Sequence, residues 1–403
     1  MNYVLILSNH DFFNQTGAAV SRIISYAKAL ALNPDTTVFL SSFDYINVSH
    51  KTEIHNNIFI LGNLPEKKLP LWKRAAIFFT YRDFIKNLDA AIYHLKGNIV
   101  VFDYALLVKQ SILLIYYFKI KRGIKLFYEK CETRTAILEN TLLSFKTFKE
   151  IRFTLTYPYL WISAWVQDRM VVFYNGVVVI SSALEKWTKP YNSAIIKVPC
   201  MVDMEKFTHK SSVDTNPNEF NIGYTGQVTL KKDGLLDIIM AINPLIQRGE
   251  KVVLNIYGPA LRKDMELLMK YISAEKIEHA IKFHGNIPGE KIPQVLTRQN
   301  LLIVTRQANK QSYYSLSTKL AEYMASGKPV LATDVGDNGL YIKNGINGFI
   351  LKSGDIKAYT KLIHEIIKGN YDLISLGANA RKTADQYFNY KNYSKTLCRF
   401  FYD

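Results

Sequence analysis

Ser312-Tyr-Tyr-Ser-Leu-Ser-Thr-Lys-Leu-Ala-Glu-Tyr-Met-Ala-Ser-Gly-Lys-Pro-Val-Leu-Ala-Thr-Asp334 is the stretch on which the reading of the whole chain turns. A polar loop enters a helix predicted over residues 318–326, Gly327 ends it, and residues 329–333 read as a buried strand. On a helical wheel Leu320, Tyr323 and Met324 share one side and belong in a core, while Ala321, Glu322 and Ala325 share the other. A solvated face normally carries several long polar side chains. Here alanines flank a single acid, which predicts a surface that a ligand can approach closely; the plain alternative is that Glu322 is a solvated helix charge.

Thr318 and Lys319 sit in the first turn, where free backbone N–H groups and the helix dipole favour an anion. Phosphate at the helix start and a hydroxyl-rich group on Glu322 would together suit a nucleotide sugar. The stretch also resembles the donor-site signature of the family 4 glycosyltransferases, retaining sugar transferases of the GT-B fold. Their helix has the form Lys-x-x-Glu-Tyr-Met-Ala-x-Gly-Lys-Pro-Val, as in residues 319–330 here, and the resemblance places Glu322 on the donor's ribose. Residues 333–339 and 344–349 continue the likeness. It departs at one position: the family's Glu-x7-Glu pair puts its first acid at 314, and this chain has Tyr314, a loss shared by some bacterial surface-polysaccharide branches.

A chain of 403 residues exceeds one ordinary core and predicts two domains. A hydrophobic content of 48% with 21% charged residues excludes a disordered chain. Cys131, Cys200 and Cys398 are too scattered for a disulfide framework or a metal cluster, which points to a reducing, cytoplasmic setting. Residues 1–8 lack a basic leader and read as a first strand, and no membrane span is expected, because charges interrupt the apolar windows 98–118 and 157–179.

Residues 65–152 hold 17 basic and 8 acidic residues, an excess of nine out of the overall +17, interleaved with aromatics in 71–82 and 113–122. That composition suits an anionic membrane surface, with the protein peripheral on the inner face of the cell membrane. The alternative is a solvated basic face over ordinary core helices. No nucleic-acid partner is expected, since no recognised binding module is present.

In chain order, a strand over residues 3–8, a loop and a helix over 17–30 place Gly17 and Ala18 where a strand-loop-helix unit brings backbone N–H groups to an anion. They resemble the family's Gly-Gly or Gly-Ala loop, which approaches the donor diphosphate and transferred sugar across the domain cleft. Further strands are expected at 37–41, 58–61, 98–103 and 125–129. Asp103, Glu129 and Glu132 lie near strand ends, where a parallel sheet gathers its ligand groups. Capping or pairing with Lys130 and Arg134 is one role for them. Glu129, about where relatives place a cleft-facing His, is the candidate acid, base or acceptor-positioning carboxylate. Residues 139–175 read as a long, aromatic, amphipathic region, helical up to Tyr157 with a break at Pro158, followed by a strand at 176 and a helix capped by Ser181 or Ser182. Residues 210–218 read as a linker.

A second strand-loop-helix unit begins at 220. Gly226 permits close backbone approach, and Lys231 and Lys232 precede Asp233-Gly234. In the family an Arg follows the first Gly and a Lys precedes the second, both gripping the diphosphate; Gln227 replaces the Arg, Lys232 matches the Lys, and Lys319 is the candidate substitute. Gly258 ends the next strand. By resemblance Asn286 and Ile287 contact the nucleotide base through their backbone, whereas His284 reads as a strand-end residue.

The expectation is therefore an α/β chain of GT-B fold, two Rossmann-like domains facing a central cleft. Residues 1–208, with a C-terminal helix of about 386–403 crossing back, form the acceptor side, and 219–385 bind the donor. The resemblance implies transfer of a hexosyl unit from a nucleotide diphosphate sugar to a saccharide or lipid-linked saccharide acceptor in capsule, O-antigen or exopolysaccharide synthesis, without cofactor or metal. Glu129, Lys232 and Glu322 are its catalytic candidates; Gly17, Ala18, Gly226, Gly258, Asn286, Ile287, Thr318, Lys319 and Leu320 are further donor contacts. The rivals are a nucleotide-sugar 2-epimerase of the same fold and a noncatalytic, membrane-docked nucleotide-sugar binder.

Overall fold

Short runs of Val, Ile, Leu and Phe that are buried along their whole length, such as Val4 to Leu7, behave as strands covered on both faces, the pattern of a parallel sheet flanked by helices. The computed structural model describes residues 1–13, 17–63, 77–139, 148–208, 218–230 and 232–403. The expected linker up to residue 217, the basic aromatic run at 71–76 and Lys231 lie outside the described residues.

The chain divides into two units. Met1–Pro199 joins Tyr390–Asp403 in one, and Cys200–Asn389 forms the other. Residues 200–208 thus go with the second unit, where Val202 N donates to the Phe388 carbonyl at 2.7 Å.

In the first unit the strands are β1 (Asn2–Ser8), β2 (Thr36–Ser42), β3 (Ile46–His55), β4 (Ile58–Asn63), β5 (Asn98–Tyr104), β6 (Lys125–Lys130), β7 (Gly176–Val179) and β8 (Ile195–Lys197). They form one sheet in the order β3-β4-β2-β1-β5-β6-β7-β8, parallel except for β3, which runs antiparallel to β4 at the edge. Helix Ala18–Ala31 makes the β1–β2 crossover. The last helix, Ser394–Tyr402, belongs to this unit: the Phe401 ring lies 5.3 Å from Phe102 and 4.7 Å from Phe127. A side chain at Gly176 would meet the Phe400 ring at 2.6 Å, so the glycine makes room for that helix.

The expected break at Pro158 is corrected. Helix Phe148–Arg169 runs through it, with residue 158 on an exposed face where no packed neighbour among the described residues opposes the ring.

In the second unit the strands are β9 (Phe220–Thr225), β10 (Val252–Tyr257), β11 (Ile281–Gly285), β12 (Leu301–Val304), β13 (Val330–Thr333) and β14 (Phe349–Leu351). All are parallel, in the order β11-β10-β9-β12-β13-β14. The chain leaves β9 in one direction toward β10 and β11 and returns on its other side as β12, so the C-terminal ends of β9 and β12 flank a topological switch point. Helices Leu235–Gln247 and Ile356–Ile367 cover one face with buried Ile238, Ile242, Tyr359 and Ile363.

Candidate functional site

At that switch point Tyr224, Gly226 and Asp233, neighbours in sequence, meet Lys319 from 86 residues beyond Asp233. Gly226 follows β9 with φ +136°, and a Cβ there would lie 3.1 Å from Lys319 Nζ, so the glycine leaves the ammonium its place. Lys319 stands in the first turn of helix Thr318–Ala325. Its Nζ donates to the Tyr224 hydroxyl at 2.9 Å and to Asp233 Oδ1 at 3.1 Å and lies 4.2 Å from the centre of the Tyr224 ring. The Tyr224 hydroxyl is in turn 2.9 Å from Asp233 Oδ2 and 2.8 Å from the Gln227 carbonyl. The ammonium is thereby fixed in direction.

Burial lowers the Lys319 pKa; Asp233 opposes the shift, and the positive charges of Arg306 and Lys232 add to it. Lys319 is close enough to sense both other cations, and Asp233 is its counter-charge. Lys232 is exposed. Arg306, 5% exposed just beyond β12, donates to the Ser315 hydroxyl in the loop that leads into the helix. Neither Arg306 nor Asp233 was picked out as a site residue from sequence.

The helix itself is docked by Tyr323, whose hydroxyl accepts from Thr225 N at 2.7 Å and lies 3.1 Å from the Thr225 hydroxyl. Ser317 caps the helix without a side-chain hydrogen bond, and the first-turn N–H groups face the same end as the Lys319 ammonium. Leu320 is corrected as a donor contact: its side chain is fully buried and its N–H is taken by the Ser317 carbonyl at 3.1 Å.

One turn on, Glu322 is half-buried, and among the described residues its carboxylate makes no hydrogen bond or ion pair. Burial pushes its pKa up to about 7, against the pull of Lys206 and Lys319. The flanking alanines do not open the helix to a ligand as expected. Ala321 and Ala325 are buried, Arg381 donates to the Ala325 carbonyl at 2.5 Å, and a side chain at Gly377 would meet the Gly327 carbonyl at 2.1 Å. Small residues here let helix Leu373–Tyr387 pack close, and only Glu322 of that side stays partly open.

Gly258 has φ +139°, and a Cβ there would lie 2.1 Å from the Gly226 carbonyl, so its freedom serves the stacking of one loop on the next. Exposed Asn286 and half-buried Ile287 follow the edge strand β11, two strands from β9. Beside them the His284 ring stacks on Tyr257 at 4.2 Å and meets Asn255 Oδ1 at 2.9 Å. Tyr314 is half-buried, its ring edge-on to Tyr313 at 5.1 Å.

The remaining candidates lie in the first unit. Gly17 and Ala18 are exposed at the start of helix Ala18–Ala31, Gly17 with φ +95° and nothing within 4 Å of its would-be Cβ. Glu129 is corrected as an open carboxylate at the strand end. It is fully buried in β6 and bound to Arg22 at 2.5 Å, with the Tyr26 hydroxyl at 3.4 Å. Burial raises its pKa and Arg22 opposes the rise, so the pair is an internal strut. Asp103, also buried, accepts from Ser111 at 2.7 Å and from Tyr174.

Residues 205–383, within the second unit, match the family described as "Glycosyl transferases group 1". The chain is 26% identical to the amylovoran biosynthesis glycosyltransferase AmsK of Erwinia amylovora, over 47% of this chain and 46% of that protein. Two solved structures share the architecture over nearly the whole length of both chains. Sucrose-phosphate synthase from Thermosynechococcus elongatus has a TM-score of 0.74 at 14% identity, covering 100% of this chain and 98% of that one. Anabaena HepE, solved in complex with UDP-glucose, has a TM-score of 0.66 at 17% identity, covering 98% of each. The fold is therefore GT-B.

Proposed function

We propose that the protein transfers a hexosyl unit from a nucleotide diphosphate sugar, with retention of configuration, to a saccharide acceptor carried on a lipid, in the assembly of a surface polysaccharide. The observation that carries this reading is the pairing on one short helix of an aimed ammonium at its start and an unpartnered carboxylate one turn on. A nucleoside diphosphate sugar has an anion and a ribose diol at a comparable separation.

In the proposed complex Lys319, Lys232 and Arg306 take the charge that develops on the departing diphosphate, together with the first-turn N–H groups. Because Lys319 is already held by Tyr224 and Asp233, little reorganisation accompanies the reaction. Glu322 accepts from the ribose hydroxyls, which supplies the hydrogen bonds that it lacks. HepE with UDP-glucose and the amylovoran relative support donor class and pathway class respectively.

The test is incubation with a panel of nucleotide diphosphate sugars, with and without lipid-linked saccharides. Acceptor-dependent release of nucleoside diphosphate and a glycosidic product of the donor's anomeric configuration are expected. Isomerised donor in the absence of acceptor would identify an epimerase instead, and donor binding with no turnover across the panel would identify a noncatalytic binder.

A further inference from the structure

Helix Phe148–Arg169 has one side built into its unit and one side with large apolar residues exposed among the described residues. Inward, Ala164, Gln167 and Asp168 are buried. Asp168 takes Lys130 Nζ at 2.9 Å and the Thr135 hydroxyl at 2.8 Å, and Gln167 donates to the Leu106 carbonyl. Outward, Leu155, Tyr159 and Ile162 are 74%, 67% and 58% exposed at i, i+4 and i+7. Residues 154–167 contain no charged side chain at all, whereas a helix surface facing only water would carry several. At the end of this stretch the Arg169 guanidinium lies 4.1 Å from the centre of the Trp165 ring, a cation on an amphipathic aromatic.

The neighbouring segment adds charge of one sign. Residues 104–128 hold five basic residues and no acid, with Lys109, Lys121 and Lys125 exposed beside exposed Ile112 and Ile120. Lys119 Nζ donates to the Phe173 carbonyl at 2.7 Å, which ties this segment to the end of the long helix. Arg122 spends its charge on Asp89 at 3.2 Å.

We infer that this surface docks the protein on a lipid bilayer rich in anionic headgroups. Leu155, Tyr159 and Ile162 enter the boundary between headgroups and acyl chains, and the lysines sit over the phosphates. Charge decides against a second copy of the chain as the occupant, because a two-fold interface would set the same basic segment against itself. Insertion across the bilayer is not the mode, since no helix among the described residues is long and apolar enough to span one. The inference stands on this surface alone and uses no donor, so its failure would leave the transferase reading untouched.

The experiment is vesicle flotation of the full chain. Vesicles of phosphatidylglycerol with phosphatidylcholine should retain about tenfold more protein than phosphatidylcholine alone, and added salt should reduce the difference. The triple variant Leu155→Glu, Tyr159→Glu, Ile162→Glu and the double variant Lys109→Glu, Lys121→Glu should each lose about tenfold in partitioning, with unchanged thermal unfolding because all five positions are exposed. Equal retention of wild type and both variants, or of wild type by anionic and neutral vesicles, would overturn the inference. So would a dimer in sedimentation that the triple variant abolishes, which would make a second copy the occupant.

Discussion

Glu129 in the first unit and Glu322 in the second are both carboxylates whose pKa burial raises, yet they belong to opposite economies of charge. Glu129 lies on a strand with Arg22 against it at 2.5 Å and is fully enclosed. Glu322 lies on a helix with Lys206 and Lys319 near enough to be felt and, among the described residues, no cation paired to it. A buried acid with a cation packed against it has its charge balanced inside the fold. One without a partner costs the folded protein free energy until something donates to it, and that cost is the mark of a binding residue.

The comparison breaks most visibly on the first-unit side. Glu129→Gln strands the Arg22 guanidinium in the core and should destabilise the protein by about 3–5 kcal/mol in denaturant titrations. A loss under about 1 kcal/mol would mean that the pair is not a strut. Next in size, Lys319→Ala should cut kcat/KM by a factor of roughly 30–150 and weaken nucleoside diphosphate far more than nucleoside, as expected of a charge-assisted phosphate contact. Equal losses for the two ligands would remove Lys319 from the phosphates.

The smallest effect has the most telling sign. Burial raises the Glu322 carboxyl from 4.5 to about 7, so between those values the folded apo protein holds a proton that the unfolded chain has released. The stability tied to that proton is lost as pH rises from about 4.5 through about 7, where the folded protein takes on an unpartnered charge. Glu322→Gln should therefore stabilise the apo protein by about 1–2 kcal/mol at pH 8 and by nothing near pH 4.5, while weakening donor binding about tenfold. Thermal melts at the two pH values read this directly. No gain at pH 8 would show that Glu322 is already satisfied.

Local signals carried much of this from sequence. Apolar spacing and Gly327 marked a helix at 318–326, and it spans Thr318–Ala325 with Gly327 at φ +72°. Of Ser181 and Ser182, both legible as caps, it is Ser181 that accepts from Leu184 N, at 3.3 Å. Edge strand β3 was missed, although Val48, Thr52 and Ile54 fall on alternate positions as one half-covered face requires. What stayed hidden was set by strand order. Asp233 and Arg306 reach Lys319 only because β12 returns beside β9, and Arg22 reaches Glu129 across more than a hundred residues of chain. The alanines beside Glu322 misled for the same reason, since the helix that covers them lies some fifty residues further on.

The most direct measurement is a crystal of the protein soaked with a nucleotide diphosphate sugar. The account predicts the diphosphate against Lys319 Nζ and the first-turn N–H groups of helix Thr318–Ala325, with both ribose hydroxyls on the Glu322 carboxylate. A donor bound elsewhere, with no phosphate within reach of Lys319 Nζ and Glu322 in water, would contradict it.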